Sequence, residues 1–320
     1  MTYTEAIKSG FGLINRNWQL LLIQIAAAII STIVFLIMVG IPLTAALIIA
    51  GADFAEIRNM EDIMGALKES SALISRYFGI ILMVITCFLL YIIMITCFGI
   101  YVFGGSVGSI GKALIDKALK FNIRTFFDEA KRLFSRLLGF TAVMGVFLIL
   151  ISFLLGILVG SIGALISFTK EQDTTFALFF GTFFSLILII IGLFFFLSTL
   201  SITLYGIVLV VFKNTGPLES VREAIRYLYR HPSALWLFTI LLAGYIFVSF
   251  LLILINYLFA SIPLIGVFLS FLYQITLNIF QIYLGLGIIG TIFTYYYSTE
   301  ILSRHVVENS MPQTTVQDKI

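Results

Sequence analysis

The sequence predicts an all-α polytopic membrane protein with six transmembrane helices, and two observations support that fold class. The first is composition: 61% of the 320 residues are apolar and 11% are charged, against about 45–50% and about 25% in soluble domains. The second is the spacing of the charges. Runs without Asp, Glu, Lys or Arg cover 17–52, 77–111, 137–169, 174–212 and 231–299. Each run exceeds the roughly 20 residues that one spanning helix needs.

The five runs predict six spans, because the last run is long enough for two helices. Ser261-Ile262-Pro263 lies near its middle and indicates a tight turn, since Pro cannot continue a helix cleanly. Gly40-Ile41-Pro42 marks the place where the first run bends or restarts. The expected spans are about 18–41, 78–104, 138–165, 177–211, 234–259 and 265–297. They form one predicted domain, 1–303, followed by a polar tail, 304–320, that we expect to be disordered.

The distribution of Lys and Arg predicts the orientation. The N-terminal arm, the 112–136 and 213–230 connections and the tail contain 15 of the 19 Lys and Arg residues, and positive residues stay on the cytoplasmic side. We therefore expect a multi-pass protein of the cell (inner) membrane with both termini in the cytoplasm. The acidic segment 53–69 would lie on the outer surface, as a helix. The net charge of +3 then reflects orientation in the lipid bilayer, the expected partner, and not nucleic-acid binding.

Three cytoplasmic segments begin with one pattern, in which Ser or Thr is followed three residues later by an acid and then by Ala. The starting residues are Thr2, Thr125 and Ser220, and this spacing is typical of a capping box at a helix start. Each segment then reaches an arginine just before a span. The pattern suggests three repeats of an amphipathic surface helix followed by a two-span hairpin; convergent use of the same capping chemistry is the alternative.

The basic side chains of these surface helices have two interpretations. The residues are Lys131, Arg132, Arg136, Arg222, Arg226 and Arg230. One interpretation is anchoring in the headgroup layer with the long side chains reaching water. The other is docking of anionic lipid or of a cytoplasmic partner on the basic face.

Polar side chains inside the spans are the candidates for a substrate path or for helix packing. Gln274, Asn278 and Gln281 are spaced by four and three residues, so they share one face of the sixth span. Gln24 and Asn256 lie in other spans. Amides can join neighbouring helices or line a path for a neutral or amphiphilic substrate. The consecutive tyrosines 295–297 are typical of an interfacial aromatic belt.

Glycine stripes predict close helix approach, with a hinge or flexible gate as the alternative. The stripes are Gly104, Gly105, Gly108 and Gly111 in the second span, Gly156, Gly160 and Gly163 in the third, and Gly285, Gly287 and Gly290 in the sixth.

The predicted spans contain no Asp, Glu, Lys, Arg or His. This absence disfavours ion-coupled transport and intramembrane hydrolysis, which need such groups at depth. We therefore expect no catalytic residue, no metal and no cofactor. An enzyme acting on lipid would instead require Glu300 or Asp173 in a water-filled cavity.

Two segments, Gly105 to Leu138 and Val210 to Phe238, carry a family resemblance. They contain the Gly216-Pro217 entry, Glu-Ala within a basic amphipathic helix, and a return to the membrane. In these features the chain resembles a loose group of prokaryotic six-span proteins that includes the membrane domain attached to some glycerophosphoryl diester phosphodiesterases. In those longer relatives the phosphodiesterase activity lies in a separate soluble domain, and no matching catalytic residue occurs here. The resemblance therefore transfers no site.

Together these features predict a non-enzymatic membrane protein. The first hypothesis is a permease-like component or membrane subunit that handles an amphiphilic or neutral substrate. The second is a structural or assembly factor with no substrate of its own. Either could act with a membrane-protein partner or as a homo-oligomer.

Overall fold

The computed structural model describes residues 1–56, 70–116, 120–262 and 265–302, and all regular secondary structure in these ranges is helical. The helices are α1 (Tyr3–Arg16), α2 (Gln19–Phe35), α3 (Ile41–Glu56), α4 (Ser70–Ile115), α5 (Ile123–Gln172), α6 (Thr174–Lys213), α7 (Pro217–Arg230), α8 (Pro232–Ala260) and α9 (Gly266–Tyr296). A π-helical turn, Leu36–Gly40, joins α2 to α3, and a second, Tyr297–Leu302, follows α9. The predicted all-α fold class is confirmed.

Six stretches of helix are long and apolar enough to cross a membrane, as predicted. They are Gln19–Ile49, Phe78–Ile115, Ile123–Lys170, Thr174–Lys213, Pro232–Phe259 and Gly266–Leu302. The protein is therefore a multi-pass integral membrane protein in contact with a lipid bilayer. The π-helical turn in the first stretch ends at Gly40, next to Pro42, which has no N–H to donate to the preceding turn. Most of the acidic 53–69 segment, Pro263 and the predicted tail lie outside the described residues.

The chain forms two compact units. The first comprises Met1–Leu21 and the described residues from Gly104 onward; the second is Leu22–Phe103. In the second unit the rings of Phe35 and Tyr91 pack edge to face with centroids 5.3 Å apart. The prediction of a single domain, 1–303, stays a prediction.

The core of the first unit lies at one end of its helices, which we call the packed end. It contains α1, residues 104–115 of α4, the first part of α5, the last part of α6, α7, the start of α8 and the end of α9. Its largest fully buried side chains include Ile14, Ile110, Phe126, Phe140, Tyr205, Leu237, Phe293 and Tyr296. The remaining halves of α5, α6, α8 and α9 expose mostly Leu, Ile and Phe, as expected where lipid is the solvent.

The helix starts agree with the predicted capping boxes in one case of three. Thr2 forms a complete capping box with Glu5 at the start of α1. The start predicted at Thr125 is wrong, because the Asn122 side chain caps α5 three residues earlier. The start predicted at Ser220 is also wrong: α7 begins at Pro217, whose fixed φ suits the first helical turn. Ser220 instead donates a hydrogen bond to the carbonyl of Gly216, at 2.8 Å.

Only two of the three surface helices are separate elements. Asn17 ends α1, with its side-chain amide donating to the Leu13 carbonyl at 2.9 Å, and His231 separates α7 from α8. The middle surface helix continues into its span without a break, as the single helix α5. The three-fold repeat stays a prediction. Its second repeat differs from the other two, because no break separates the surface helix from the span.

Glycines at the packed end permit the close approaches that the sequence predicted. A Cβ on Gly105 would lie 2.6 Å from the Phe126 ring, and one on Gly290 would lie 2.9 Å from the Gly10 carbonyl oxygen. The α4 stripe and two members of the α9 stripe, Gly287 and Gly290, are thus packing surfaces, whereas a Cβ on Gly285 would meet no atom of the described residues within 4 Å. The α5 stripe differs: a Cβ on Gly156, Gly160 or Gly163 would meet no atom of the described residues within 4 Å. Helix packing within the described chain is therefore the wrong interpretation for that stripe.

We expect Gly10→Ala to destabilise the packed end. A Cβ at this position would collide with the backbone of Thr291, so α1 and α9 must move apart, at a cost of about 1–3 kcal/mol. Gly12→Ala is the matched control, because a Cβ there meets nothing within 4 Å and Ala favours helix. Thermal unfolding of both variants in detergent tests this; equal midpoints would contradict the packing.

Candidate functional site

Helix α7 has three different faces. Ser220, Ala224 and Tyr227 are buried against the packed end. Leu218 and Tyr229 are 74% and 88% exposed on the outer face, which also carries the exposed Arg222, while the remaining face carries the other charged side chains. This division is typical of a helix that lies along a membrane surface, and it agrees with the amphipathic pattern predicted for this segment.

Tyr227 fixes the position of α7. Its ring lies 5.2 Å from that of Tyr205 on α6 and 5.0 Å from that of Tyr296 on α9. Its hydroxyl lies 2.8 Å from Thr299 Oγ1, and Thr299 in turn donates to the Tyr295 carbonyl. The Tyr227 hydroxyl is therefore the donor in this pair. Burial raises the pKa of Tyr227 well above its ordinary value, which keeps that donor proton in place at all physiological pH values.

The tyrosines at the end of α9 are core residues. Tyr295 and Tyr296 are buried, at 4% and 1% exposure, and Tyr295 pairs with Ser233 Oγ at 2.9 Å. The interfacial belt predicted for tyrosines 295–297 is therefore wrong for these two residues. Their rings face other helices: Tyr296 packs against Tyr227 of α7, and Tyr295 packs against Tyr3 of α1.

A polar cavity of about 230 Å³ lies where α6, α7 and the end of α9 meet. Its charged lining residues are Lys213, Glu223, Arg226, Arg230 and Glu300, and its other lining residues are Leu209, Tyr227 and Tyr296. We call it the α7 cavity. Lys213 Nζ pairs with the Glu223 carboxylate at 2.5 Å. The Glu300 carboxylate lies 3.7 Å from His231 Nε2. Three cationic and two anionic side chains thus surround the space.

The six predicted docking residues occupy different places. Arg226 and Arg230 line the α7 cavity, whereas Arg222 is exposed elsewhere on the same helix. Lys131 and Arg132 are exposed on α5. Arg136 Nη1 is buried and has no hydrogen-bond partner among the described residues. The structure therefore brings two of the six together at a cavity.

A buried carboxylate that the sequence did not single out lies in the first part of α5. Glu129 is 2% exposed, and its oxygens lie 2.8 Å from Lys112 Nζ and 2.5 Å from Arg132 Nη2. It fits because α4 has Gly108 opposite: a Cβ there would lie 2.6 Å from Glu129 Cβ. Gly108 and Lys112 lie one helical turn apart on α4, which was the available signal for a buried acid beside them. Nothing in the sequence, however, indicates that α4 packs against α5.

The predicted amides separate into two groups. Asn256 Oδ1 accepts a hydrogen bond from Ser270 at 2.9 Å, joining α8 to α9. Gln274 and Asn278 are exposed on α9, and their side chains contact each other at 3.4 Å. Gln281, on the same face, is half-buried, as is Gln24 in the second unit. Asn256 thus joins helices, while the Gln274–Asn278 pair does not.

Of the two acids relevant to an enzyme, Glu300 lines the α7 cavity, with its side chain 16% exposed. Asp173 is exposed and caps α6, accepting from the Thr175 N–H at 2.8 Å. Within the described ranges no group of three His, Cys, Asp or Glu side chains could hold a metal ion.

We expect removal of both cationic partners of Glu129 to be strongly destabilising. The variant Lys112→Met with Arg132→Met leaves a carboxylate buried without compensation, which costs on the order of 3 kcal/mol. Adding Glu129→Met removes that charge and should restore most of the unfolding midpoint. Arg124→Met with Lys131→Met is the control, since both side chains are exposed on the same helix. Equal midpoints for the two double variants would contradict a structural role for this network.

No protein-family model matches the chain, and no curated protein and no solved structure matches it. The resemblance to the membrane domain attached to some glycerophosphoryl diester phosphodiesterases therefore stays a prediction.

Proposed function

We propose that the protein is a non-enzymatic, permease-like membrane component that handles an amphiphilic or neutral substrate, in a cell membrane with both termini in the cytoplasm. The observation that supports this function is the exposed amide pair Gln274–Asn278, within an α9 sequence that is otherwise largely apolar. The cytoplasmic orientation rests on the distribution of Lys and Arg in the connections.

The amide pair is incompletely satisfied by the described residues. Each amide has two N–H donors and one carbonyl acceptor, and the 3.4 Å contact between Gln274 Nε2 and Asn278 Oδ1 uses one donor and one acceptor. An unsatisfied amide in hydrocarbon costs several kcal/mol. A polar group from outside the hairpin is therefore needed, and the polar part of an amphiphile supplies one.

Joining α8 to α9 does not require this pair. Ser270 bonds to Asn256, and the Tyr273 hydroxyl donates to the Leu252 carbonyl at 2.8 Å. Both bonds lie within the hairpin, whereas Gln274 and Asn278 are exposed. This difference favours a substrate path over helix packing for the pair.

A structural or assembly factor is the second candidate, and one observation favours it. The α5 stripe of Gly156, Gly160 and Gly163 is open among the described residues, and small residues at this spacing let helices approach closely in membranes. A helix of another protein or of a second copy would fill that surface.

We expect Gln274→Leu with Asn278→Leu to lose a bound amphiphile. Wild-type protein purified from its membrane in mild detergent would retain a defined amphiphile in native mass spectrometry, and the variant would retain at least tenfold less. Thr276→Val is the matched control, because its hydroxyl bonds only to the α9 backbone.

Two outcomes would contradict the substrate path. One is equal retention by wild type and variant with unchanged thermal unfolding. The other is that no amphiphile stays bound, while a protein partner is retained and is lost in Gly160→Leu, which would support the assembly candidate.

A further inference from the structure

We propose that the α7 cavity is a binding site for a phosphate group, with Arg226 and Arg230 as the principal ligands and the headgroup of an anionic lipid as the source of the phosphate. The inference does not rest on the proposed function, because a structural subunit could hold the same lipid. It concerns the packed end, whereas the proposed function concerns the exposed face of α9.

The cavity lining has one more cation than anions, and two of its three cations, Arg226 and Arg230, form no ion pair with a described residue. Lys213 and Glu223 pair with each other at 2.5 Å, and the Glu300 carboxylate faces His231. Arg226 and Arg230 have no ion pair or hydrogen bond to any described residue. Like charges one turn apart on a helix repel each other. An anion between the two guanidinium groups would remove this repulsion.

The geometry of the two arginines suits a tetrahedral oxyanion. They are four residues apart on α7, so they project from one face, one turn apart, towards the same cavity. Guanidinium groups bind phosphate through two parallel N–H donors, which a lysine cannot do. A volume of about 230 Å³ exceeds the roughly 30 Å³ share of one water several times over, so a phosphate group and some water fit together.

The position of α7 favours a lipid over a soluble phosphate. Leu218 and Tyr229 are exposed on the outer face of α7, and an amphipathic helix with such a face lies in the headgroup layer. Arg226 and Arg230 lie on the adjoining face of the same helix, and are therefore close to the depth of lipid phosphates. A soluble phosphate compound would use the same ligands, so the source must be tested separately.

Substitution of Glu300 should change phosphate retention in the opposite direction to substitution of the two arginines. Its carboxylate lines the cavity and would repel a bound phosphate. Glu300→Gln should therefore increase phosphate retention about threefold or more, whereas Arg226→Gln with Arg230→Gln should decrease it at least tenfold. A surface that merely attracts anions by its overall charge would not distinguish a residue inside the cavity from one outside it.

The experiment uses the full chain in nanodiscs of phosphatidylcholine. One arm adds a small fraction of dioleoyl phosphatidic acid and counts retained molecules by native mass spectrometry; the other adds inorganic phosphate and measures binding by equilibrium dialysis. Arg222→Gln is the matched control for the single variants Arg226→Gln and Arg230→Gln, because each removes one positive charge from α7 and Arg222 lies outside the cavity lining. We expect one phosphatidic acid per wild-type chain and unchanged retention in Arg222→Gln.

Retention of phosphatidic acid with little binding of inorganic phosphate identifies a lipid site, and the reverse identifies a soluble ligand in the same cavity. Equal losses in Arg222→Gln and in the double variant would overturn the proposal, as would no retention in either arm.

Misfolding of the double variant is controlled in two ways. Arg226→Lys with Arg230→Lys keeps both charges and should show an intermediate loss, because only the paired donors are removed. The wild-type protein offers a test that needs no variant. Phosphatidic acid should raise its unfolding temperature, and added salt should reduce that rise. A temperature rise that phosphatidylcholine reproduces equally would overturn the site.

Discussion

The packing of Tyr227 against the ends of α6 and α9 is the interaction on which the packed end of the molecule depends. Lipid gives membrane helices no hydrophobic reason to associate with each other, so they are held by close packing and hydrogen bonds. Tyr227 supplies both, through its ring contacts with Tyr205 and Tyr296 and its bond to Thr299. Since Arg226 and Arg230 flank Tyr227 on the same short helix, this one side chain also sets where the two guanidinium groups lie.

The association of α1 with α9 also depends on close packing and hydrogen bonds, but here glycines permit the packing. Here Gly10 and Gly290 bring the two backbones together, and a Cβ on either would collide. The Tyr283 hydroxyl adds a hydrogen bond to Asn15 at 2.9 Å, and the Arg16 guanidinium donates to the Ala113 carbonyl at 2.7 Å. The N-terminal helix thus joins α4 and α9 at the packed end, which explains why a polar segment before the first span is ordered at all.

The sequence was sufficient for the number of spans and for their helical type but not for the contacts between helices. Charge-free runs locate spans because a charge in hydrocarbon is costly, and the length of the last run, with the turn signal at Ser261-Ile262-Pro263, divides five runs into six spans. Hydropathy does not say which apolar residue faces which. The sequence therefore wrongly placed Tyr295 and Tyr296, which are buried, at the membrane interface. It also predicted helix packing equally for the stripe at Gly105, which the Phe126 ring contacts, and for the stripe at Gly160, which no described residue contacts. Burial of Glu129 depends on the pairing of α4 with α5, which no local pattern encodes.

The two candidate sites differ in how strongly the fold constrains them. The α7 cavity lies at the packed end, so its lining is positioned by buried side chains from three helices. The Gln274–Asn278 pair lies on an exposed face of α9, where only the helix itself sets its geometry. Affinity is gained when a site is preorganised before its ligand arrives. In the proposed phosphate site, buried side chains such as Tyr227 and Tyr296 fix part of the lining in advance, although Arg226 and Arg230 are themselves exposed; the proposed amide site has no such support from a neighbouring helix.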